Sequence, residues 1–249
     1  MATILVTGGT GTLGRPTVAQ LREAGHEVRV FSRRSGAGLV TGDLVTNNGL
    51  RDALAGVNTV IHLATAGNGS DIAAAHNLFP AARRAGVTHL VLISIVGIEQ
   101  IPLPYYTDKV TIEADLVKSG LKYTILRATQ FHTLVAGIFA AQRRLPVLFS
   151  PRMPVQPIDP REVAARLVEL AAGAPCGRVP DIGGPEQNFV THFGAQWVKA
   201  AGMKRRIVSV RLPGTTFAGY ATGKALVPGP RYGHTTFSEY FAEHRPEQR

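Results

Sequence analysis

Several residue types and patterns are scarce in this chain, and each scarcity excludes a class of protein. The 249 residues include one cysteine, Cys176, which excludes an internal disulfide and any metal site built from several thiolates. No apolar run reaches the roughly 18 residues that a bilayer span requires. The N-terminus carries no basic segment followed by an apolar core, so we expect no signal peptide. Together these absences predict a cytoplasmic protein without a membrane partner.

Motifs of metal-dependent and hydrolytic enzymes are missing as well. The eight histidines show no His-x-His or His-Glu-x-x-His spacing, and the carboxylates near them form no ligand set, so we expect no metal. The chain contains no Gly-x-Ser-x-Gly sequence, which argues against hydrolysis by a serine nucleophile. A folded globular protein is still expected, because hydrophobic residues make up 45% of the chain and charged residues 18%.

Acidic residues are few, and the net charge is +10. None lies between Gln187 and Ser238, whereas that stretch contains the basic residues Lys199, Lys204, Arg205, Arg206, Arg211, Lys224 and Arg231. This segment is interpreted either as a solvated basic surface or as a lobe that attracts an anionic ligand or nucleic acid. No helix-turn-helix, zinc-finger or RNA-binding motif accompanies the charge, so a nucleic-acid partner is not expected.

Short apolar segments alternate with helical patterns over the first half of the chain. Strands are predicted at 2–6, 27–31, 39–41, 59–63, 90–96 and 123–126, with helices between them at 12–24, 50–55, 71–85 and 105–118. The fifth strand segment is apolar nearly throughout, as expected when helices cover both faces of a sheet. This alternation predicts an α/β fold of the Rossmann type, with a doubly wound parallel sheet.

The regular alternation ends after Arg127. Helices are predicted near 131–143, 160–172, 190–201, 216–223 and 236–244, and extended segments near 147–150, 154–158 and 207–212. The sequence has no internal repeat and no long linker. We therefore predict one domain over residues 1–249, in which about 130–150 and 186–249 form a small C-terminal lobe. Ligands of open α/β sheets bind at the carboxyl edge of the sheet, so this lobe is expected to form the substrate wall.

The segment after the first predicted strand reads Thr7-Gly8-Gly9-Thr10-Gly11-Thr12-Leu13-Gly14, and residues 8–14 are called the glycine loop below. Gly8 allows a tight turn out of the strand, Gly11 lets backbone amides approach a pyrophosphate, and Gly14 lets the helix pack against the strand. The helix then presents its N-terminal amides to the phosphates. A purely structural turn is the alternative, but the flanking strand and helix are the context that dinucleotide binding requires.

The end of the second predicted strand indicates which dinucleotide binds. An acidic residue at this place would accept a hydrogen bond from the ribose 2′-hydroxyl and select NAD. The chain instead reads Ser32-Arg33-Arg34, and arginine makes bidentate, charge-assisted contacts with a phosphate. The alternative is a pair of ordinary surface arginines. We predict NADP(H) as the cofactor.

Three further segments are expected to contact the cofactor. Asp43 precedes Leu44 after the third strand, and its carboxylate either accepts the adenine amino group or caps the next turn. The sequence Leu63-Ala64-Thr65 follows the fourth strand and is small enough for the nucleotide to cross the strand ends. Thr129-Gln130-Phe131 follows the sixth strand, where amides and a ring can position the nicotinamide.

Four motifs together resemble a known family. They are Thr-Gly-Gly-Thr-Gly-x-x-Gly at 7–14, Gly42-Asp43-Leu44, Tyr105-x-x-x-Lys109, and Thr-Ile-Leu-Arg-Ala-Thr-Gln-Phe at 124–131. Over about residues 2–135, and more loosely beyond, the chain resembles an atypical short-chain dehydrogenase/reductase of the NmrA-like, NAD(P)H-binding branch. The resemblance implies a Rossmann domain with a small C-terminal lobe and a preference for NADP(H).

The same branch contains reductases and redox-sensing regulators that bind the cofactor without turning it over. Two functions therefore follow from the resemblance. One is an NADPH-dependent oxidoreductase that reduces a carbonyl or a conjugated enone or quinone of a small apolar molecule, as a monomer or homodimer. The other is a non-catalytic NADP(H)-binding sensor.

The resemblance also implies catalytic residues, with Ser94, Tyr105 and Lys109 in the places of the family's serine, tyrosine and lysine. Tyr105 and Lys109 are four residues apart on a predicted helix and hence on one face. A nearby cation lowers a tyrosine pKa from about 10, so Tyr105 could protonate a substrate oxygen while Lys109 also holds the nicotinamide ribose.

Three points stay open in this assignment. Tyr106 stands beside Tyr105, and either ring could face the nicotinamide. The short stretch after Ser94 contains two prolines, Pro102 and Pro104, so the serine could be placed differently. His132 is close enough in sequence to act on a substrate, but a lone histidine beside aromatic residues is expected to be a packed one.

Overall fold

The structure is a computed structural model that describes residues 2–245. Residue 1 and residues 246–249, which the predicted single domain and C-terminal lobe include, lie outside the described residues. The strands are β1 (Thr3–Thr7), β2 (Glu27–Ser32), β3 (Leu39–Thr41), β4 (Thr59–His62), β5 (His89–Ile95), β6 (Tyr123–Ala128), β7 (Val147–Pro151), β8 (Pro154–Val155), β9 (Gly177–Arg178), β10 (Asn188–Phe189) and β11 (Arg206–Val210). The helices are α1 (Gly14–Glu23), α2 (Leu50–Ala53), α3 (Ser70–Arg84), α4 (Pro104–Lys118), α5 (His132–Ala140), α6 (Pro160–Ala172), α7 (Val190–Ala200), α8 (Thr215–Ala221) and α9 (Phe237–Glu243).

The chain divides into two compact units. The first comprises the described residues of Met1–Ser94, Pro104–Arg127 and Pro160–Pro180. The second comprises those of Ile95–Leu103, Ala128–Asp159 and Asp181–Arg249. The second unit thus also takes in the segment between β5 and α4, which the predicted C-terminal lobe did not include.

The first unit is built around a seven-stranded sheet with the order β3-β2-β1-β4-β5-β6-β9. The central pairs are parallel and in register, with Leu5 of β1 opposite Arg29 of β2 on one side and opposite Val60 of β4 on the other. The chain runs outward from β1 in both directions, which is the doubly wound Rossmann arrangement. The predicted fold class is confirmed.

Helices cover both faces of this sheet. On one face α2, α3 and α4 pack on a core of strand and helix side chains that includes Leu5, Val60, Leu90, Leu78 and Ile112. Strand residues that alternate with these, such as Ile4, Ile61 and Val91, are also buried, and α1 and α6 pack side by side with contacts to β1 and β4. Burial on both faces explains why these strands are apolar without alternation.

The second unit contains two small sheets and an aromatic core. β7 pairs in parallel with β11, and β8 pairs antiparallel with β10. Side chains of α5, α7 and α9 form the core, and the aromatic ones are Phe139, Phe193, Trp197, Phe237, Tyr240 and Phe241. His132 is buried in this unit, with Nε2 3.1 Å from the Thr235 carbonyl oxygen and its ring 5.5 Å from the Phe237 ring. The interpretation of His132 as a packed histidine is therefore supported.

The main differences from the sequence-based elements are in the shortest segments. The first helix begins at Gly14 rather than at residue 12, because the preceding residues form the glycine loop. β9 and β10 were not predicted, since two-residue strands such as Gly177–Arg178 carry no apolar pattern and are defined only by their partners. The extended segment predicted at 154–158 is a strand only at Pro154–Val155.

Candidate functional site

The glycine loop connects β1 to α1, and its glycines are constrained to different degrees. Gly8 has a φ of +71°, and a Cβ atom there would lie 2.7 Å from the backbone nitrogen of Ala64. A Cβ on Gly14 would overlap the backbone of Gly8 and Gly9. At Gly11 such an atom would meet only the Gly8 carbonyl oxygen, at 3.3 Å, apart from its own chain neighbours. Packing therefore requires Gly8 and Gly14, whereas the surroundings of Gly11 leave room for a ligand.

Hydrogen bonds preform this loop. The Gly11 amide donates to the Gly8 carbonyl at 3.0 Å, and the Arg15 amide donates to the Gly11 carbonyl at 3.0 Å. The Arg15 side chain also donates to the Thr10 carbonyl, at 3.1 Å. Thr12 is exposed and Leu13 is buried. An ordered turn that leads directly into a helix N-terminus fits a bound pyrophosphate.

A buried hydrogen-bond group lies beneath the loop and joins β1 to the end of β4. The Thr7 hydroxyl oxygen accepts from the amides of Leu63 and Ala64, at 3.3 Å each, and lies 2.7 Å from His62 Nδ1. Burial, and then the charge of Lys109, lower the pKa of His62 to about 3. His62 is therefore neutral and structural at neutral pH, and it fixes the predicted cofactor segment 63–65 next to the glycine loop.

The two arginines after β2 are exposed. The Arg34 amide donates to the Ser32 hydroxyl at 3.1 Å, which turns the chain at this point. Within the described residues, neither Arg33 nor Arg34 forms a salt bridge with a carboxylate. Two uncompensated guanidinium groups at the end of the second strand fit a ribose 2′-phosphate.

Asp43 and Leu44 have local roles in the structure. Asp43 Oδ1 accepts from the Val45 amide at 2.7 Å, and Asp43 forms a bridge with Asn48. This is the turn-capping alternative for the Asp43 carboxylate. Leu44 is buried in the core beside α2 and α3. Contacts of either residue with an adenine stay a prediction.

Four polar side chains from three elements meet in the first unit, and Thr65, Asp71, Tyr105 and Lys109 are called the Tyr105 cluster below. The Thr65 hydroxyl lies 3.0 Å from the Tyr105 hydroxyl and also forms a very short hydrogen bond with Asp71 Oδ2. Lys109 Nζ lies 3.7 Å from the same Asp71 oxygen and 5.4 Å from the centre of the Tyr105 ring. Tyr105 and Lys109 thus face the same neighbours, as their spacing on α4 predicts.

The charges in the Tyr105 cluster oppose one another. Burial lowers the pKa of Lys109, and Asp71 opposes that effect. Burial acts to raise the pKa of Asp71, but its hydrogen bonds from Thr65 and Ala66 and the charge of Lys109 outweigh it, so this pKa lies below the usual range. Burial, together with the Asp71 charge, raises the pKa of Tyr105 above its usual value of 10.0. The expectation of a lowered Tyr105 pKa is therefore wrong in direction, because burial, and then the Asp71 charge, raise it.

Tyr106 lies in a different environment from Tyr105. Its side chain is buried, with 4% of its surface exposed, whereas Tyr105 is half-buried and reaches Thr65. These contacts favour Tyr105 over Tyr106 as the candidate proton donor.

Ser94 ends the first unit's portion of β5 and is buried, with 3% of its surface exposed. Within the described residues its hydroxyl has no hydrogen-bond partner. Such a buried hydroxyl without a partner carries an energetic penalty unless a ligand or water satisfies it. This orphaned hydroxyl, together with the open surroundings of Gly11, fits a site that binds a polar ligand.

Thr129, Gln130 and Phe131 belong to the second unit and are held there by β8 and its neighbours. The Thr129 hydroxyl donates to the Gln156 carbonyl at 2.5 Å, and the Gln130 carbonyl accepts from the Ile158 amide at 2.9 Å. Phe131 precedes α5 and forms a bridge with Ile158. The Gln130 side-chain amide nitrogen is buried and has no partner among the described residues.

Sequence reasoning did not identify Asp71, His62 or the Glu113–Arg127 pair as parts of this region. Asp71 lies in the first turn of α3, where an acidic residue is ordinary, so its sequence position carries no special signal. Arg127 Nε donates to Glu113 Oε1 at 2.8 Å, and the pair is buried. Glu113 lies one helical turn after Lys109 on α4. The available signal was an acidic residue, Glu113, on the predicted helix 105–118 and a basic residue, Arg127, directly after the predicted strand 123–126, but pairing partners cannot be assigned without the fold.

No group of three potential metal ligands (His, Cys, Asp or Glu) is present in residues 2–245. Over the same residues, no helix combines the length and apolar character that crossing a membrane demands.

Comparison with known proteins identifies the family. The sequence model of a family described as NAD(P)H-binding matches residues 8–138, which is more than half of the chain. A (4-alkanoyl-5-oxo-2,5-dihydrofuran-3-yl)methyl phosphate reductase of Streptomyces griseus is 30% identical over 82% of this chain and 75% of its own length. The photosystem II assembly factor Ycf39 of Trieres chinensis is 33% identical over 52% of this chain, and the match spans about half of that relative, 46%.

Solved structures show the same fold over nearly the whole chain. An NADPH-dependent quinone oxidoreductase of Escherichia coli, in complex with NADPH, superposes with a TM-score of 0.83, covers 97% of this chain and 99% of its own, and is 18% identical. At that identity the similarity concerns the fold. The predicted nicotinamide dinucleotide cofactor is confirmed at the level of the family. This chain belongs to the family described as NAD(P)H-binding.

Proposed function

We propose that this chain is an NADPH-dependent oxidoreductase that reduces a carbonyl or a conjugated enone or quinone of a small, mainly apolar molecule. The observation that carries the proposal is the Tyr105 cluster, where a tyrosine hydroxyl and a lysine ammonium lie together in the unit that contains the glycine loop. NADPH, when bound, supplies a hydride for such a reduction. The reductase relative from Streptomyces griseus supports this class of reaction.

The residues of this chain have separate tasks in the proposed reaction. Tyr105 donates its proton to the substrate oxygen, and Ser94 donates a hydrogen bond to the same oxygen. Lys109 holds the nicotinamide ribose hydroxyls. The cofactor residues are Gly8, Thr10, Gly11, Thr12, Leu13, Gly14, Ser32, Arg33, Arg34, Asp43, Leu44, Leu63, Ala64, Thr65, Lys109, Thr129, Gln130 and Phe131. Substrate contacts are assigned to the proposed C-terminal lobe, residues 130–150 and 186–249.

The choice of the phosphorylated cofactor rests on Arg33 and Arg34. Both are exposed and without a carboxylate partner among the described residues, so a 2′-phosphate would gain charge-assisted hydrogen bonds there. The NADPH found in the quinone oxidoreductase of Escherichia coli supports the same choice.

The experiment is a screen of the purified protein with NADPH against a panel of quinones, enones and ketones, following nicotinamide absorbance. We expect at least one acceptor to cause consumption of NADPH. The rate of this consumption should be much lower in Tyr105→Phe. Failure of every acceptor, while NADPH binding is intact, would refute the reductase proposal.

A second candidate function is a non-catalytic NADP(H)-binding sensor. The raised pKa of Tyr105 favours this alternative, because burial, and then the charge of Asp71, weaken Tyr105 as an acid. The relative described as an assembly factor agrees with a role other than catalysis. A sensor would bind NADPH with equal affinity in the wild type and in Tyr105→Phe and would consume none of it.

A further inference from the structure

Asp71 contacts two of the other three members of the Tyr105 cluster, Thr65 and Lys109, and Thr65 in turn contacts Tyr105. Its Oδ1 accepts from the Ala66 amide at 2.7 Å, and its Oδ2 faces both the Thr65 hydroxyl and Lys109 Nζ. The side chains of Asp71 and Lys109 are 5% and 6% exposed. A carboxylate that is so deeply buried and fully engaged can hold its neighbours in fixed positions.

Counting hydrogen atoms gives the direction of the hydrogen bonds. Thr65 has one hydroxyl hydrogen, and an ionised carboxylate only accepts. The short contact with Asp71 therefore takes the Thr65 hydrogen, since a charged acceptor is the stronger one. The contact of 3.0 Å between Thr65 and Tyr105 is then donated by the Tyr105 hydroxyl. The result is a chain from Tyr105 through Thr65 to Asp71.

The charged groups around Tyr105 agree with this direction. Lys109 of the same helix is a cation near the ring, and Asp71 of α3 compensates it. Asp108 and Glu113, also on α4, add negative charge near Lys109, and His62 of β4 is neutral at neutral pH. The balance around the Tyr105 hydroxyl thus favours the neutral phenol.

We propose that Asp71 is a positioning residue that acts through the Thr65 hydroxyl to keep Tyr105 protonated and to hold Lys109 beside it. This inference rests on the proposed reductase function and deepens it. A tyrosine held in this way is a proton donor for reduction rather than a base for oxidation. In the reduction the Tyr105 proton goes to the substrate oxygen, the hydride comes from NADPH, and a solvent proton restores the hydroxyl.

The test is a spectrophotometric titration of tyrosine ionisation, with the Tyr105 contribution obtained by subtracting the same protein carrying Tyr105→Phe. In Asp71→Asn the removed carboxylate leaves the Lys109 charge uncompensated, so we expect Tyr105 to ionise at a pH lower by at least about one unit. Asp115→Asn is the control, because Asp115 is a carboxylate on α4 that pairs with His76 instead. Ionisation of Tyr105 in Asp71→Asn at no lower pH than in the wild type overturns the proposal.

A second pair of variants protects the test against misfolding of Asp71→Asn. Thr65→Val removes the acceptor of the Tyr105 hydrogen and is expected to lower the ionisation pH, whereas Thr65→Ser keeps the hydroxyl and the wild-type value. If Thr65→Val instead raises the ionisation pH, the inferred direction of the hydrogen bond is wrong. The titration needs no substrate. Failure of the acceptor screen would therefore refute the reductase function but would leave the titration of Tyr105 to be decided separately.

Discussion

The glycine loop and the Tyr105 cluster both belong to the first unit, but they are constructed in different ways. The loop is made by residues adjacent in sequence, and its shape depends on side chains that are absent, as the close approach of Gly14 to Gly8 and Gly9 requires. The cluster is made by side chains from the segment after β4, from α3 and from α4. The loop fits the binding of any NAD(P)-type cofactor, whereas the chemistry depends on how the distant side chains share protons and charge.

The largest effect is expected within the loop, where Gly14→Ala and Gly11→Ala separate packing from binding. An added methyl group at residue 14 meets backbone on two sides and should lower the free energy of unfolding by about 3 kcal/mol. At residue 11 the loss should be about 0.5 kcal/mol. Urea unfolding measures both values.

For NADPH affinity, measured per folded molecule, we expect the opposite order: Gly11→Ala should have a larger effect than Gly14→Ala. Gly11→Ala places a methyl group where the phosphates approach and should weaken NADPH binding about tenfold, equivalent to about 1.4 kcal/mol. A fluorescence titration with NADPH measures this. Equal stability losses in the two variants would mean that the loop is not packed as described.

His62 connects the two regions, and its effect should appear as a dependence of stability on pH. Its pKa of about 3 in the folded protein lies below the usual value of 6.5, so the unfolded chain binds the proton more strongly. Stability is therefore lost as the pH falls below 6.5, at about 1.4 kcal/mol per pH unit, or about 2 kcal/mol by pH 5.

His62→Gln removes this proton uptake, and the comparison is the difference in unfolding free energy between about pH 6.5 and pH 5. His76→Gln is the control, because the His76 side chain is 59% exposed. We expect the control to keep the wild-type dependence and His62→Gln to be flatter. Parallel curves for the wild type and His62→Gln would contradict the buried neutral histidine.

The smallest effect concerns the selection of the cofactor at the end of β2. Replacing both Arg33 and Arg34 by serine should weaken NADPH binding by about tenfold, or 1.4 kcal/mol, because a 2′-phosphate loses its charge-assisted partners. NADH binding should be unchanged. Arg51→Ser on α2 is the control for a general loss of positive charge, and isothermal calorimetry gives both affinities. An equal loss for NADPH and NADH would remove the basis for selecting the phosphorylated cofactor.

The sequence predicted the parts of the molecule that depend on local pattern. The alternation of apolar strands and helices predicted the parallel sheet, and the spacing of Gly8, Gly11 and Gly14 predicted the loop. β9 was missed because two residues, Gly177–Arg178, carry no pattern and become a strand only by pairing with β6.

The Tyr105 cluster shows why the site was predicted only in part. The spacing of Tyr105 and Lys109 on one helix placed them together correctly. Asp71 lies on another helix, and nothing in its own sequence context distinguishes it from an ordinary acidic residue in a first turn. Burial, and then the charge of Asp71, raise the Tyr105 pKa where a lowered one was expected, so the surroundings of Tyr105 had to be known before the chemistry could be inferred.

The most direct test of the central claim, that binding and chemistry reside in separate sets of residues, is a paired measurement on Tyr105→Phe. The dissociation constant for NADPH and the rate of NADPH consumption, with an acceptor found in the screen, are determined for this variant and the wild type. We expect an unchanged dissociation constant and a rate lower by about a hundredfold or more, because a positioned acid is lost. An unchanged rate, or a loss of affinity that matches the loss of rate, would contradict it.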